Sequence, residues 1–184
     1  MNFTVTTLSY KENKAETLVL LVPEFDKITD TRLKHLNDAS RQAVAAVVES
    51  EEFVGKLEQM VTIMAPEEYP YKRVILAGLG KREDVDHDSF RKAAGYLSRY
   101  RPLRHSKSAV FHLGRYEQDA YHQAVVEGLL LGGYKWREYK TGEGAKESNR
   151  LETVTFAIDQ KRLQKKLAAA VERGEIIAEG QILT

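Results

Sequence analysis

Two short stretches of the 184-residue chain combine residue types that can do chemistry. The first is Gly78-Leu79-Gly80-Lys81-Arg82, which follows the apolar run Arg73-Val74-Ile75-Leu76-Ala77-Gly78. Two glycines let backbone N–H groups come close to a phosphate, and Lys81 and Arg82 supply positive charge. A loop after a buried strand and ahead of a helix is also where α/β sheets often hold ligands. The spacing fits neither GxxxxGK[ST] nor GxGxxG, since Gly80 is followed by Lys81, Arg82 and Glu83. A tight turn carrying solvated cations is the plainer account of the same residues.

The second stretch is Arg99, Arg101, Arg104, His105 and Lys107, with Tyr96 and Tyr100 interleaved. Basic side chains with aromatics are what phosphate contact and base stacking require. Tyr96 and Tyr100 are four apart, however, and can equally cover the rim of a helix. Charge is segregated around them. Residues 1–71 hold 7 Lys/Arg against 12 Asp/Glu, residues 72–116 hold 11 against 4, and residues 117–184 hold 10 against 11. The 72–116 region can therefore present a basic surface for DNA, although charges scattered over helix faces also serve simply to solvate a domain.

Other chemistry finds little support. His35, His87, His105, His112 and His122 form no HExxH pattern, so two metal ligands on one helical turn are not expected. His112 alternates with Phe111 on a strand-like run, which suits a hydrogen-bonded structural histidine better than a ligand. No GxSxG marks a nucleophile elbow. Carboxylates gather at Glu49, Glu51 and Glu52, in a polar break, and at Asp84, Asp86 and Asp88, where negative charge favours a helix start. The absence of cysteine removes disulfides, thiolate metal sites and cysteine nucleophiles, and fits a reducing compartment.

The elements that must position these residues follow from hydrophobic periodicity. Strands are expected over residues 3–8, 17–22, 58–64, 73–78, 108–113 and 151–158. Helices are expected from Asp30 or Thr31 to about Val47, over residues 88–101 with Asp88 as cap and Pro102 as stop, from Tyr116 to about Leu131, and from about Asp159 onward. Residues 134–150 read as an exposed loop. The order β-β-α-β-β-α-β-α-β-α predicts a single three-layer α/β/α domain with a mixed central sheet. Apolar Ile176, Ile177, Ile182 and Leu183 close the chain and suggest either a helix docked on its own core or a partner. The start lacks the pattern of a signal peptide, and the longest apolar runs fall far short of the roughly 20 residues of a membrane span, so a cytoplasmic protein is expected.

The stretches RVILAGLGKRED (73–84), FRKAAGYL (90–97), AVVEGLLLGGYKWREYKT (124–141) and RGEIIAEGQILT (173–184) resemble the N-terminal domain of the leucyl aminopeptidases, or cytosol aminopeptidases. With the intervening strand order the resemblance covers nearly the whole chain, although the first 60 residues match only in pattern. It implies a macro-domain-like fold over residues 1–184, whose last helix, about 160–184, leads toward a larger catalytic domain. In that family the second domain removes N-terminal residues, leucine preferentially, from peptides. It does so with two divalent metal ions, Zn²⁺ or Mn²⁺, held by Lys, Asp and Glu residues near a motif like NTDAEGR, which does not occur here. The resemblance thus implies an N-terminal domain with no catalytic or metal residue of its own, partnered by the catalytic domain within a hexamer, where it supports assembly and shapes access to the active sites. The alternative is a binding module: some similar bacterial enzymes bind DNA, and macro-like folds often bind ADP-ribose. For that reading the candidate residues are Gly78, Gly80, Lys81 and Arg82 for an anion, and Arg99, Arg101, Arg104 and Lys107 for nucleic acid.

Overall fold

A computed structural model of the chain describes residues 1–9, 12–24, 42, 45–47, 49–50, 53–65, 69–134 and 150–183. The β-branched and aromatic runs form β1 (Asn2–Thr6), β2 (Thr17–Val22), β3 (Met60–Met64), β4 (Arg73–Gly78), β5 (Ser108–His112) and β6 (Thr153–Ala157). They make one six-stranded sheet in the order β1-β6-β5-β2-β4-β3. All pairings are parallel except β3 with β4. The sheet is therefore mixed, as the adjacent strand pairs predict. Central β2 is buried at every residue, which explains why TLVLLV is apolar almost throughout instead of alternating.

Among the described residues, helices α1 (His87–Arg99), α3 (Asp119–Gly133) and α4 (Gln164–Ile182), with the short α2 (Arg101–Arg104), accompany the sheet. Phe90, Ala94 and Leu97 of α1 and Ala124, Val125 and Leu129 of α3 share one core with Val19, Ile75, Phe111 and Phe156 of the sheet. The opposite face packs Leu18, Leu20, Val74 and Val110 with Phe53 and Tyr71, and Val47 lies against it from the helical residues 45–47. The remainder of the helix expected from Asp30 or Thr31, His35 included, and nearly all of the 134–150 loop lie outside the described residues. At the α1–α3 crossing a Cβ on Gly128 would stand 2.2 Å from the carbonyl oxygen of Arg91, so only glycine permits this approach.

Several details differ from expectation. Asp86, not Asp88, caps α1: its carboxylate accepts the Ser89 N–H at 2.8 Å, and Ser89 completes a capping box. Asp88 instead pairs with Arg91 and Lys92 on the surface. Pro102 does not stop α1. Tyr100 does so in extended backbone, and Pro102 sits in the first turn of α2, where its missing N–H costs nothing. In α4, Leu167, Ala170, Val171, Gly174 and Ala178 are buried and Ile177 is exposed.

Candidate functional site

The parallel strands give the sheet two unlike ends, and the sequence-predicted residues divide between them. Gly78 closes β4 at the carboxyl end, while residues 99–107 connect α1 to the amino end of β5. The two basic stretches therefore form no single continuous face.

At the carboxyl end, the glycine loop is built for close backbone packing. A Cβ on Gly78 would lie 1.9 Å from the Lys56 carbonyl oxygen, and Gly80 has a φ of +85°, in the region that favours glycine. The amides that could cradle an anion are already engaged. Gly78 N–H donates to Gln59 at 2.9 Å, Leu79 N–H to Val22 at 2.9 Å and Gly80 N–H to Gly55 at 3.0 Å. Lys81 and Arg82 are exposed beyond them. An anion at this loop would meet those two side chains, not the Gly78–Gly80 amides.

At the same end, a second group of residues converges that the spacing in sequence conceals. His112 is the last residue of β5, Asp159 follows β6 by two residues, and Glu117 follows a 3₁₀ turn over Gly114–Tyr116. His112 and Glu117 are 3% and 8% exposed, whereas Asp159 is open to solvent. His112 Nε2 lies 3.3 Å from Asp159 Oδ1. Glu117 Oε1 accepts the Asp159 N–H, and Oε2 accepts the Gln160 N–H at 3.3 Å. Burial pushes the Glu117 carboxyl above the ordinary range and the nearby Asp159 charge adds to this, against the opposing pull of the two amides. The expectation of a hydrogen-bonded His112 holds, with Asp159, 47 positions away, among its partners. Only the adjacency of β5 and β6 could have revealed this.

His122, one turn into α3, is fully buried against Phe156 at 5.1 Å between ring centroids. Its Nδ1 lies 2.9 Å from the Gln118 carbonyl, which requires a proton there, and Nε2 has no hydrogen-bond partner among the described residues. Burial pulls its pKa down to about 4, so the ring is neutral at pH 7.

The amino end carries the second basic stretch. Arg99, Arg101 and Lys107 are exposed and Arg104 is half-buried. Arg99 Nε donates to the Gly132 carbonyl at 3.1 Å, fastening α1 to the end of α3. The Lys107 N–H donates to Glu16 at 2.7 Å, and Lys72 Nζ meets the other oxygen of the same carboxylate at 2.9 Å. Glu16 is held below the ordinary carboxylate range, chiefly by the Lys107 amide and then by Lys72. The interleaved tyrosines are partly committed as well. The Tyr96 hydroxyl donates to Glu58, and the Tyr100 hydroxyl accepts from Thr62 at 3.1 Å.

Comparison with known proteins places this architecture. Residues 18–143 match the model of the cytosol aminopeptidase family, N-terminal domain. The chain is 34% identical over 124 residues to a probable cytosol aminopeptidase of Geotalea uraniireducens, covering 66% of this chain and 25% of that protein. It is 31% identical over 193 residues to the cytosol aminopeptidase of Pseudomonas aeruginosa, covering 100% of this chain and 37% of that protein. Among solved structures, a mutant of tomato leucine aminopeptidase superposes with a TM-score of 0.74 at 16% identity, over all of this chain and 37% of the other. The bottromycin maturation enzyme BotP in complex with Mn superposes at 0.59 and 20% identity, over 90% of this chain and 30% of the other. At these identities the structural likeness speaks for the fold, and the chain spans little more than a third of its relatives at most.

Proposed function

The chain belongs to the cytosol aminopeptidase family, as its N-terminal domain, and from that premise we propose that it is the non-catalytic part of a cytoplasmic, metal-dependent leucyl aminopeptidase. The parent enzyme removes N-terminal residues, preferentially leucine, from peptides. Its catalytic domain, in the same protein, holds two divalent ions, Zn²⁺ or Mn²⁺, which generate hydroxide and polarise the scissile carbonyl. The domain described here supports assembly of a hexamer and shapes access to its active sites. The observation that carries this reading is the family match across residues 18–143. Apolar Ile176 and Leu183, 63% and 86% exposed on and just after α4, add to it, because they offer a surface for whatever packs next to the domain. No helix among the described residues is long and apolar enough to cross a membrane.

The test is hydrolysis of leucine p-nitroanilide by this chain in saturating Mn²⁺ or Zn²⁺. A rate equal to buffer with metal is expected, and robust turnover would overturn the reading.

A second reading, a module that binds DNA through Arg99, Arg101, Arg104 and Lys107, is favoured by the exposure of three of these cations at one end of the sheet. Binding carried by phosphates must weaken steeply as salt rises, which a gel-retardation series reads directly. An ADP-ribose-like ligand would instead engage Lys81 and Arg82 at the opposite end, and raise the melting temperature in proportion to its concentration.

A further inference from the structure

We propose that His112, Glu117 and Asp159 form a binding site for one divalent transition-metal ion, with zinc the ion their donor set suits best. One atom from each residue, an imidazole nitrogen and two carboxylate oxygens, lies within 4.8 Å of the other two. Nitrogen and oxygen donors of these types are those zinc accepts, at about 2.0 to 2.2 Å. The 3.3 Å between His112 Nε2 and Asp159 Oδ1 is long for a hydrogen bond to a carboxylate. It matches the edge of a tetrahedron whose arms are about 2.0 Å.

The surroundings favour a cation over an empty polar corner. A cluster of surface acids needs no ion, but here two of the three ligands are more than nine-tenths buried. Glu117 is a buried carboxylate beside a second carboxylate, Asp159. The Asp159 and Gln160 amides occupy one lone pair on each oxygen of Glu117, which leaves each oxygen a lone pair for a metal. They also fix the orientation of the carboxylate, as outer partners do at metal sites. The exposed side of Asp159 leaves the fourth position to water. Each ligand follows or ends a different stretch of backbone, so a bound ion would tie the carboxyl ends of β5 and β6 to the start of the segment leading into α3.

The test is titration of chelator-stripped protein with Zn²⁺ against a chromophoric competitor, alongside a thermal melt and the imidazole resonances of His112. Saturation at one ion per chain, a rise in melting temperature and a shift of the His112 ring signals are expected. Asp159→Asn, at an exposed position that should leave folding intact, should weaken binding about tenfold or more and remove the thermal shift. Glu117→Gln should do the same if the variant folds. Unchanged affinity in Asp159→Asn would overturn the proposal, because zinc would then be held elsewhere, for example by exposed His87 or His105. Absence of saturable binding, or binding that leaves the His112 resonances unmoved, would overturn it equally.

Discussion

The two ends of the sheet use ionisable groups in opposite ways. At the amino end, Glu16, Lys72 and Arg99 meet one another or backbone groups while still touching water. At the carboxyl end, His112, Glu117 and His122 are taken out of water. Charge in contact with solvent costs little and contributes little, whereas a buried ionisable group is expensive unless its partners are well placed. The amino end can therefore lose a charge cheaply. The carboxyl end, where the backbone at Gly78 also leaves no room for a side chain, cannot.

The largest expected effect tests that contrast at Gly78. A methyl group there would overlap the Lys56 carbonyl, so Gly78→Ala should cost about 3 kcal/mol or more, or prevent folding. Chemical denaturation of the purified variant measures it, and a cost below about 1 kcal/mol would mean that the 53–59 turn yields easily.

His122 supplies the next. Its folded pKa of about 4 lies below the usual 6.5, so the unfolded chain binds more protons between these values. Stability should then be fully present above about pH 6.5 and be lost as pH falls toward 4, by about 2 kcal/mol between pH 7 and pH 5. Melts across that window should show a slope that His122→Gln flattens. An identical slope in the variant would assign the acid sensitivity to another group.

Glu16→Ala, at the amino end, should cost about 1 kcal/mol through the lost hydrogen bonds to the Lys107 amide and Lys72. Because the folded pKa is depressed, that contribution should fade as pH drops below the ordinary range for glutamate, and the variant should converge on the parent in acid. Smallest of all, Arg101→Ala and Lys107→Ala should each change stability by less than about 0.5 kcal/mol. A larger loss at either residue would break the comparison, since it would show the amino end to depend on its cations.

These expectations also mark what could be read from sequence. β2 and β4 are legible to the residue because uninterrupted apolar runs bounded by Pro23 and by the glycine turn admit no other assignment. The α1 cap is misjudged by two positions because three acidic residues alternate before the helix, and only Ser89 discriminates among them by completing the box with Asp86. Gly78 is conspicuous in sequence for its φ-permissive company, yet its demand is steric, imposed by a turn some twenty positions earlier. His112, Glu117 and Asp159 were not legible as a group. Their grouping depends on β5 lying beside β6, a fact of topology that local spacing does not encode.

Strand β1 pairs along its full length with β6, Asn2 opposite Thr153 and Thr6 opposite Ala157. Strand β1 is thus made 151 positions ahead of the strand it pairs with. At a synthesis rate of about 5 to 20 residues per second, it waits on the order of ten seconds for its partner to emerge. During that interval Phe3 and Val5 are apolar side chains without a core, and the nascent chain carries an unpaired strand that a chaperone or a second copy can capture. This edge of the sheet closes only when segments 151 positions apart meet, so refolding of this domain should be slow for its length and sensitive to concentration.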